Sequence, residues 1–459
     1  MNFLTIIESV AAFIVAIGVL VTIHEFGHYW VARKMGVKVL RFSVGFGKPL
    51  WIKKAGEDQT EYVVAAIPFG GYVKMLDERE GEVAEQDLDR AFNRKSVWRR
   101  FAIVAAGPIF NFIFAIVAYY LIYLAGVNGI RPMVGEVANP SPAYSAGVKL
   151  QDTILSVNGV ETISWEKARF TLLAESVDRG SIILVVQGLD KQIIEKTLDI
   201  SGLRLLQDEQ IDLMGELGLS MWRPDIPPVI DEVIPGGAAA AAGLLAEDKI
   251  LSLDGQSIIN VNQWVDLIRA HPGQMLSLVV ARAGEKVTLQ ISPAIREENG
   301  LRYGFIGVKN RIEIPQDIRR QMKVVEQYGP VGALGEALDK TWRMSWLTLK
   351  VLGKLVVGEA SVKNLSGPIT IARYAGLSAR IGFEQFLGFL AIISISLGVL
   401  NLLPVPILDG GHLFYYLIEM LKGSPVSETT EMIGQKIGMA LLFGLMSIAI
   451  YNDLLRLVE

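Results

Sequence analysis

Apolar residues run almost unbroken from Phe3 to Ile23 and lead directly into His24-Glu25-Phe26-Gly27-His28. A run of that length reads as a membrane-spanning helix. Three further apolar runs, Phe101 to Tyr123, Phe386 to Leu403 and Ile437 to Tyr451, predict three more spans. Between the first two, residues 34–97 are polar and mixed in charge. Within them Glu61 to Lys74 (EYVVAAIPFGGYVK) is rich in Val, Ile and Tyr, which predicts strands joined by a turn at Pro68-Phe69-Gly70-Gly71. From Tyr328 to Tyr374 the pattern is amphipathic, with Trp342, Trp346, Leu349 and Leu352 set among Lys340, Arg343 and Lys350. That predicts helices lying on the membrane surface.

The long segment 127–310 contains a repeat. Val134 to Gly159 aligns without a gap on Ile230 to Gly255, at an offset of 96 residues, with about ten of 26 positions identical. Gly147/Gly243, Asp152/Asp248 and Ile154/Ile250 are among them. A period this long implies two whole domains. Each repeat resembles a PDZ domain of the permuted bacterial form. The stretches Leu217-Gly218-Leu219 and Ile306-Gly307-Val308 match the loop that caps a peptide carboxylate in that family, so peptide C-termini are expected partners. Trp165 and Trp264 are read as core residues.

Composition supports the membrane reading: 51% of the 459 residues are hydrophobic, and the mean hydropathy is +0.37. Net charge is −4, which gives no sign of a nucleic-acid partner. The first run has no Lys or Arg before Arg33 and no small-residue cleavage site after it, so it is read as a span and not a secretory signal. Basic residues at Arg33, Lys34, Lys38 and Arg41, and again at Lys95, Arg99 and Arg100, place the HExxH end on the cytoplasmic side. Four spans then leave both termini on the other side.

Residues four apart share a helix face, so His24 and His28 can hold one metal ion while Glu25 addresses its open side. With no cysteine in the chain, the metal must be held by His, Asp or Glu. A catalytic zinc needs a third protein ligand. The third span, running inward, brings Asn401-Leu-Leu-Pro404-Val-Pro406-Ile-Leu-Asp409 to a similar depth, which makes Asp409 that ligand. Pro404 and Pro406 break the helix, and irregular backbone at this depth is tolerated where it lines a cavity. The Asn401 amide suits substrate backbone or a developing oxyanion. His412 is read as facing the headgroups, and Asn111 as bonding a neighbouring helix. Gly70, Gly71 and Tyr72 belong to the strand expected to receive extended substrate.

HEFGH, NLLPVPILDGG, the two repeats, GFGKPL and GGYVKMLD together resemble the site-2 protease family of M50 zinc metalloproteases. The resemblance implies one zinc held by His24, His28 and Asp409, Glu25 as general base, and Asn401 with Pro404 on the substrate. It implies a bacterial inner-membrane location with the active site near the cytoplasmic side. Its implied substrates are single-span membrane proteins, such as an anti-sigma factor already trimmed outside the membrane, or leftover signal peptides. The fold expected is a polytopic α-helical membrane protein with four transmembrane helices, a small cytoplasmic β-element and two tandem periplasmic PDZ domains. The layout is 1–33 first span, 34–97 cytoplasmic loop, 98–126 second span, 127–222 and 223–312 the two PDZ domains. Surface helices follow at 313–382, a third span with the LDG motif at 383–412, and a short cytoplasmic loop with the fourth span at 413–459. Set between the catalytic halves, the PDZ pair suggests a filter that excludes substrates with bulky external domains. A metal transporter would use the same three ligands but leave Glu25 and the repeats without a role.

Overall fold

The first helix, α1 (Phe3–Lys34), continues past Ile23 through the HExxH motif and ends on Arg33 and Lys34, cations that suit the negative end of a helix. The computed structural model describes residues 3–177, 179–203, 212–226, 228–298, 301–311 and 314–458. The boundary expected at residue 312 lies outside them.

After α1 come two long antiparallel strands, β1 (Val39–Ala55) and β2 (Thr60–Met75). The turn expected at Pro68–Gly71 is not there. The chain reverses at residues 56–59, where polar Glu57 and Asp58 follow Gly56, whose φ is +80°. β2 passes through Pro68–Gly71 as one strand with an irregular register, the usual accommodation of proline within a sheet. The irregularity bends both strands. Arg41 to Val44 consequently pair with Glu61–Val64 on one side and with Gly71–Lys74 on the other. Gly71–Met75 is thus an outer arm, unpaired on its far side with any described strand.

Helix α2 (Val97–Ala125) is the most buried of the apolar helices and packs against most of the others. It leads into β3 (Val127–Ile130), which pairs antiparallel with β4 (Lys323–Glu326), so the two ends of the long intervening segment meet. Within that segment the same order of elements runs twice. Strand 134–137, helix 142–145, strand 153–157 and helix 165–176 are answered by strand 229–233, helix 238–241, strand 249–253 and helix 261–270. The turn chemistry repeats as well. Asp152 accepts from the Lys149 N–H at 2.8 Å, and Asp248 accepts from the Leu245 N–H at 2.9 Å. Ser164 and Asn260 cap the longer helices. Each unit has its own core, one including Trp165 and the other Trp264.

The amphipathic stretch forms α3 (Pro330–Val356), which leaves Trp342 and Trp346 exposed while Ala333 and Ala337 pack on α2. α4 (Pro368–Ile381) follows, then α5 (Phe383–Leu402). Within the 383–412 segment the third span and the LDG motif lie on separate helices, divided at the two prolines. α5 stops at Leu402 before Pro404 and Pro406, and a separate helix, α6 (Asp409–Lys422), begins on Asp409 itself. The loop expected after residue 412 is therefore helical through Lys422. α7 (Glu428–Val458) closes the chain. Among the described residues four helices, α1, α2, α5 and α7, are long and apolar enough to cross a membrane.

Candidate active site

Three segments far apart in sequence meet where α1 crosses α2. Asp409, at the start of α6, brings its Oδ2 to 3.1 Å from His24 Nε2 and 3.4 Å from His28 Nε2. The two Nε2 atoms are 3.2 Å apart, with the rings edge-to-face at 82°. Tetrahedral zinc bonded to N and O at about 2.0–2.1 Å needs its ligand atoms about 3.3 Å apart. All three spacings fit that edge length, and this is the one His/Asp/Glu group of metal-binding geometry among the described residues.

Helix α2 sets which nitrogen of each ring faces the group. His28 donates its Nδ1–H to the Ile103 carbonyl at 2.9 Å, so its Nε2 carries a lone pair. His24 Nδ1 lies 3.1 Å from the Asn111 amide, whose Oδ1 has no other partner among the described residues. Amide oxygen and nitrogen are alike in shape. With Oδ1 taking the His24 Nδ1–H, both imidazoles offer lone pairs beside the Asp409 carboxylate. Three converging acceptors of this kind are satisfied by a cation.

Gly107 makes room for them. A methyl group on it would overlap His28 Nε2 and lie 2.8 Å from His24 Cε1. Neither Gly107 nor the Ile103 carbonyl was identified from sequence. The available signal was Gly107 one helical turn before Asn111 on an apolar helix, a small residue stacked on a polar one. Asn111 does bond a neighbouring helix, as expected, and its partner there is a motif histidine.

Glu25 is half-buried, within electrostatic reach of both histidines and Asp409. The outer arm of β2 lies against it: a methyl on Gly71 would sit 3.0 Å from Glu25 Cγ and 2.6 Å from the Ser43 carbonyl oxygen. Gly70 adjoins the Phe46 ring, and Tyr72 stacks on that ring at 6.1 Å while its hydroxyl accepts from Arg41. Asn401 is half-buried at the end of α5, its side-chain amide without a hydrogen bond among the described residues, and Pro404 is exposed just beyond it. Ile407, two residues before Asp409, has φ +116°, a region a β-branched residue enters only under constraint. His412 stays outside the group, with its Nδ1 3.8 Å from Glu431 of α7.

The model of peptidase family M50 matches residues 12–445. The regulator of sigma-E protease of Salmonella typhimurium is 46% identical over 454 residues, covering 99% of this chain and 100% of that one. The Escherichia coli regulator of sigma-E protease is 45% identical over the same length and coverage. A Yersinia pestis protease is 45% identical over 455 residues, again 99% and 100%. The chain therefore belongs to peptidase family M50.

Proposed function

We propose that this chain hydrolyses peptide bonds within the membrane-spanning segment of single-span membrane proteins. As a member of family M50 it is a metalloprotease, and its metal is zinc. The observation that carries the proposal is the convergence of His24, His28 and Asp409 beside Glu25, with an unpaired strand arm alongside. His24, His28 and Asp409 would hold the zinc, which when bound supplies a Lewis acid and lowers the pKa of water.

The chain's own residues do the rest. Glu25 accepts the proton of the attacking water and returns it to the leaving amine. Ile103 and Asn111 keep the two imidazoles oriented. A helical substrate hides its carbonyls in its own hydrogen bonds and must unwind before attack. The free side of Gly71–Met75 offers such an extended segment a strand to pair with, and Asn401 offers it an amide donor. The basic residues flanking α1 and α2 support an inner-membrane topology with the site near the cytoplasmic side and both termini periplasmic. The two repeated units are read as periplasmic PDZ domains, and their insertion between the catalytic halves supports a substrate size filter. The relatives' names point to sigma-E regulation, which supports a trimmed anti-sigma factor as one substrate and remnant signal peptides as another.

Purified protein mixed with a single-span reporter bearing a short external tail tests the reading. Cleavage inside the span, abolished by a chelator and restored by zinc, supports it. Metal-dependent zinc uptake into vesicles without cleavage would favour transport.

A further inference from the structure

A cavity of about 730 Å³ lies among α2, α3, α4, α5 and the first repeated unit. Its α2 residues, Tyr119, Ile122 and Tyr123, sit roughly two to three turns beyond Asn111, at the end of the membrane helices remote from the metal centre. One wall is apolar and continuous with the lipid-facing surface: Leu377, Ile381 and Ile392 line it while remaining 46%, 64% and 40% exposed. The opposite wall is charged.

Most of those charges answer one another. Lys167 reaches Glu336 at 2.9 Å and Glu326 at 3.5 Å, and Arg343 reaches Asp339 at 2.6 Å. Lys340 is different. Its ammonium lies over the rings of Tyr119 and Phe170, at 5.5 and 5.3 Å, with no hydrogen bond or ion pair among the described residues. Burial pushes its pKa down, with Glu326 opposing too weakly to restore it. Beside it the Tyr119 hydroxyl is buried and has no partner among the described residues. An ammonium without an ion-pair partner, beside a buried hydroxyl that also lacks one, suits an anionic group with oxygen acceptors at this wall of the cavity. A purely anionic ligand does not suit the whole cavity, because acidic side chains outnumber basic ones five to four along its lining.

We infer that the cavity binds a phospholipid with a zwitterionic amine-bearing headgroup, its phosphodiester against Lys340 and the Tyr119 hydroxyl. The amine faces the carboxylates of the charged wall, and the acyl chains follow the apolar wall between α4 and α5 into the bilayer. Such a lipid ties the first repeated unit and α3 to the membrane helices, independently of the proteolytic site.

Native mass spectrometry of the delipidated full chain, titrated with phosphatidylethanolamine or phosphatidylglycerol of matched chains, tests this. Phosphatidylethanolamine is expected to reach at least fivefold higher occupancy, and soluble phosphorylethanolamine without chains is expected not to displace it. Lys340→Gln should lower occupancy at least fivefold and Tyr119→Phe about twofold, with unfolding temperature unchanged in the lipid-free state. Equal occupancy by the two lipids, or a preference for phosphatidylglycerol, overturns the assignment, as does displacement by the free headgroup or by a peptide carboxylate. The comparison of lipids uses wild-type protein, so a variant that fails to fold does not leave the question open.

Discussion

His28 and Ile103 are joined across the α1–α2 interface by a 2.9 Å hydrogen bond from the imidazole Nδ1 to the main-chain carbonyl. The bond makes α2 part of the site although it contributes no proposed ligand. It fixes the tautomer of one ring, while Asn111, two turns along the same helix, faces the other. The geometry for holding a metal thus depends on how closely α1 and α2 approach.

At Gly107 that approach brings α2 directly against the two imidazoles. Gly107→Ala is expected to lower bound zinc below roughly a tenth of one ion per chain and activity at least about a hundredfold, because its methyl overlaps His28 and crowds His24. Gly18→Ala, in α1 but with nothing within 4 Å of the added methyl, should leave both unchanged. Metal analysis beside a cleavage assay checks the pair.

Gly71→Ala separates substrate geometry from metal binding. Its methyl would press on the Ser43 carbonyl, Val21 and Glu25, and none of these three nearest neighbours is a histidine. Zinc content should stay at the wild-type level while kcat falls at least about tenfold, in line with displacement of a general base. Loss of zinc from this variant would contradict the separation.

In the second repeated unit Asp248 is fully buried, and Arg282 donates to it from Nε at 2.8 Å and from Nη2 at 2.7 Å. Burial opposes its ionisation, but the Arg282 guanidinium and the Leu245 N–H outweigh burial and hold the carboxyl below its usual range. Because the native pKa is the lower one, the stabilisation is fully present above about pH 3.9 and is lost as pH falls through the native value. Asp248→Asn should cost about 2 kcal/mol near neutrality. Hydrogen exchange in strands 249–253 and 276–282 should show that difference shrinking only below about pH 4.

The filter reading makes its own demand. Since β3 and β4 pair, residues 134–311 can be excised while both strands stay in place. The shortened chain should cut reporters carrying a folded external domain that the full chain refuses. If such reporters stay uncut, the repeats are not a filter.

Much of this architecture was legible because its signals are local or periodic. The apolar runs mark the four long helices, the 96-residue offset marks the repeat, and HExxH marks two members of the metal-binding group. Asp409 could be placed by depth alone. What escaped notice depends on packing between distant segments. The bend that doubles the pairing of Arg41–Val44 follows from an irregular register, so Pro68–Gly71 reads as a turn when only its composition is considered. The helix beginning at Asp409 is short and amphipathic, and reads as a loop beside two prolines. The space at Gly107 exists only once α1 lies against it.

Zinc content and cleavage measured together on wild type and Glu25→Gln test the central claim most directly. Both should hold one zinc per chain, and only the wild type should cut a single-span reporter within its span, with the variant slower by about a thousandfold or more. A Glu25→Gln variant that holds zinc and cuts at the wild-type rate would contradict the account.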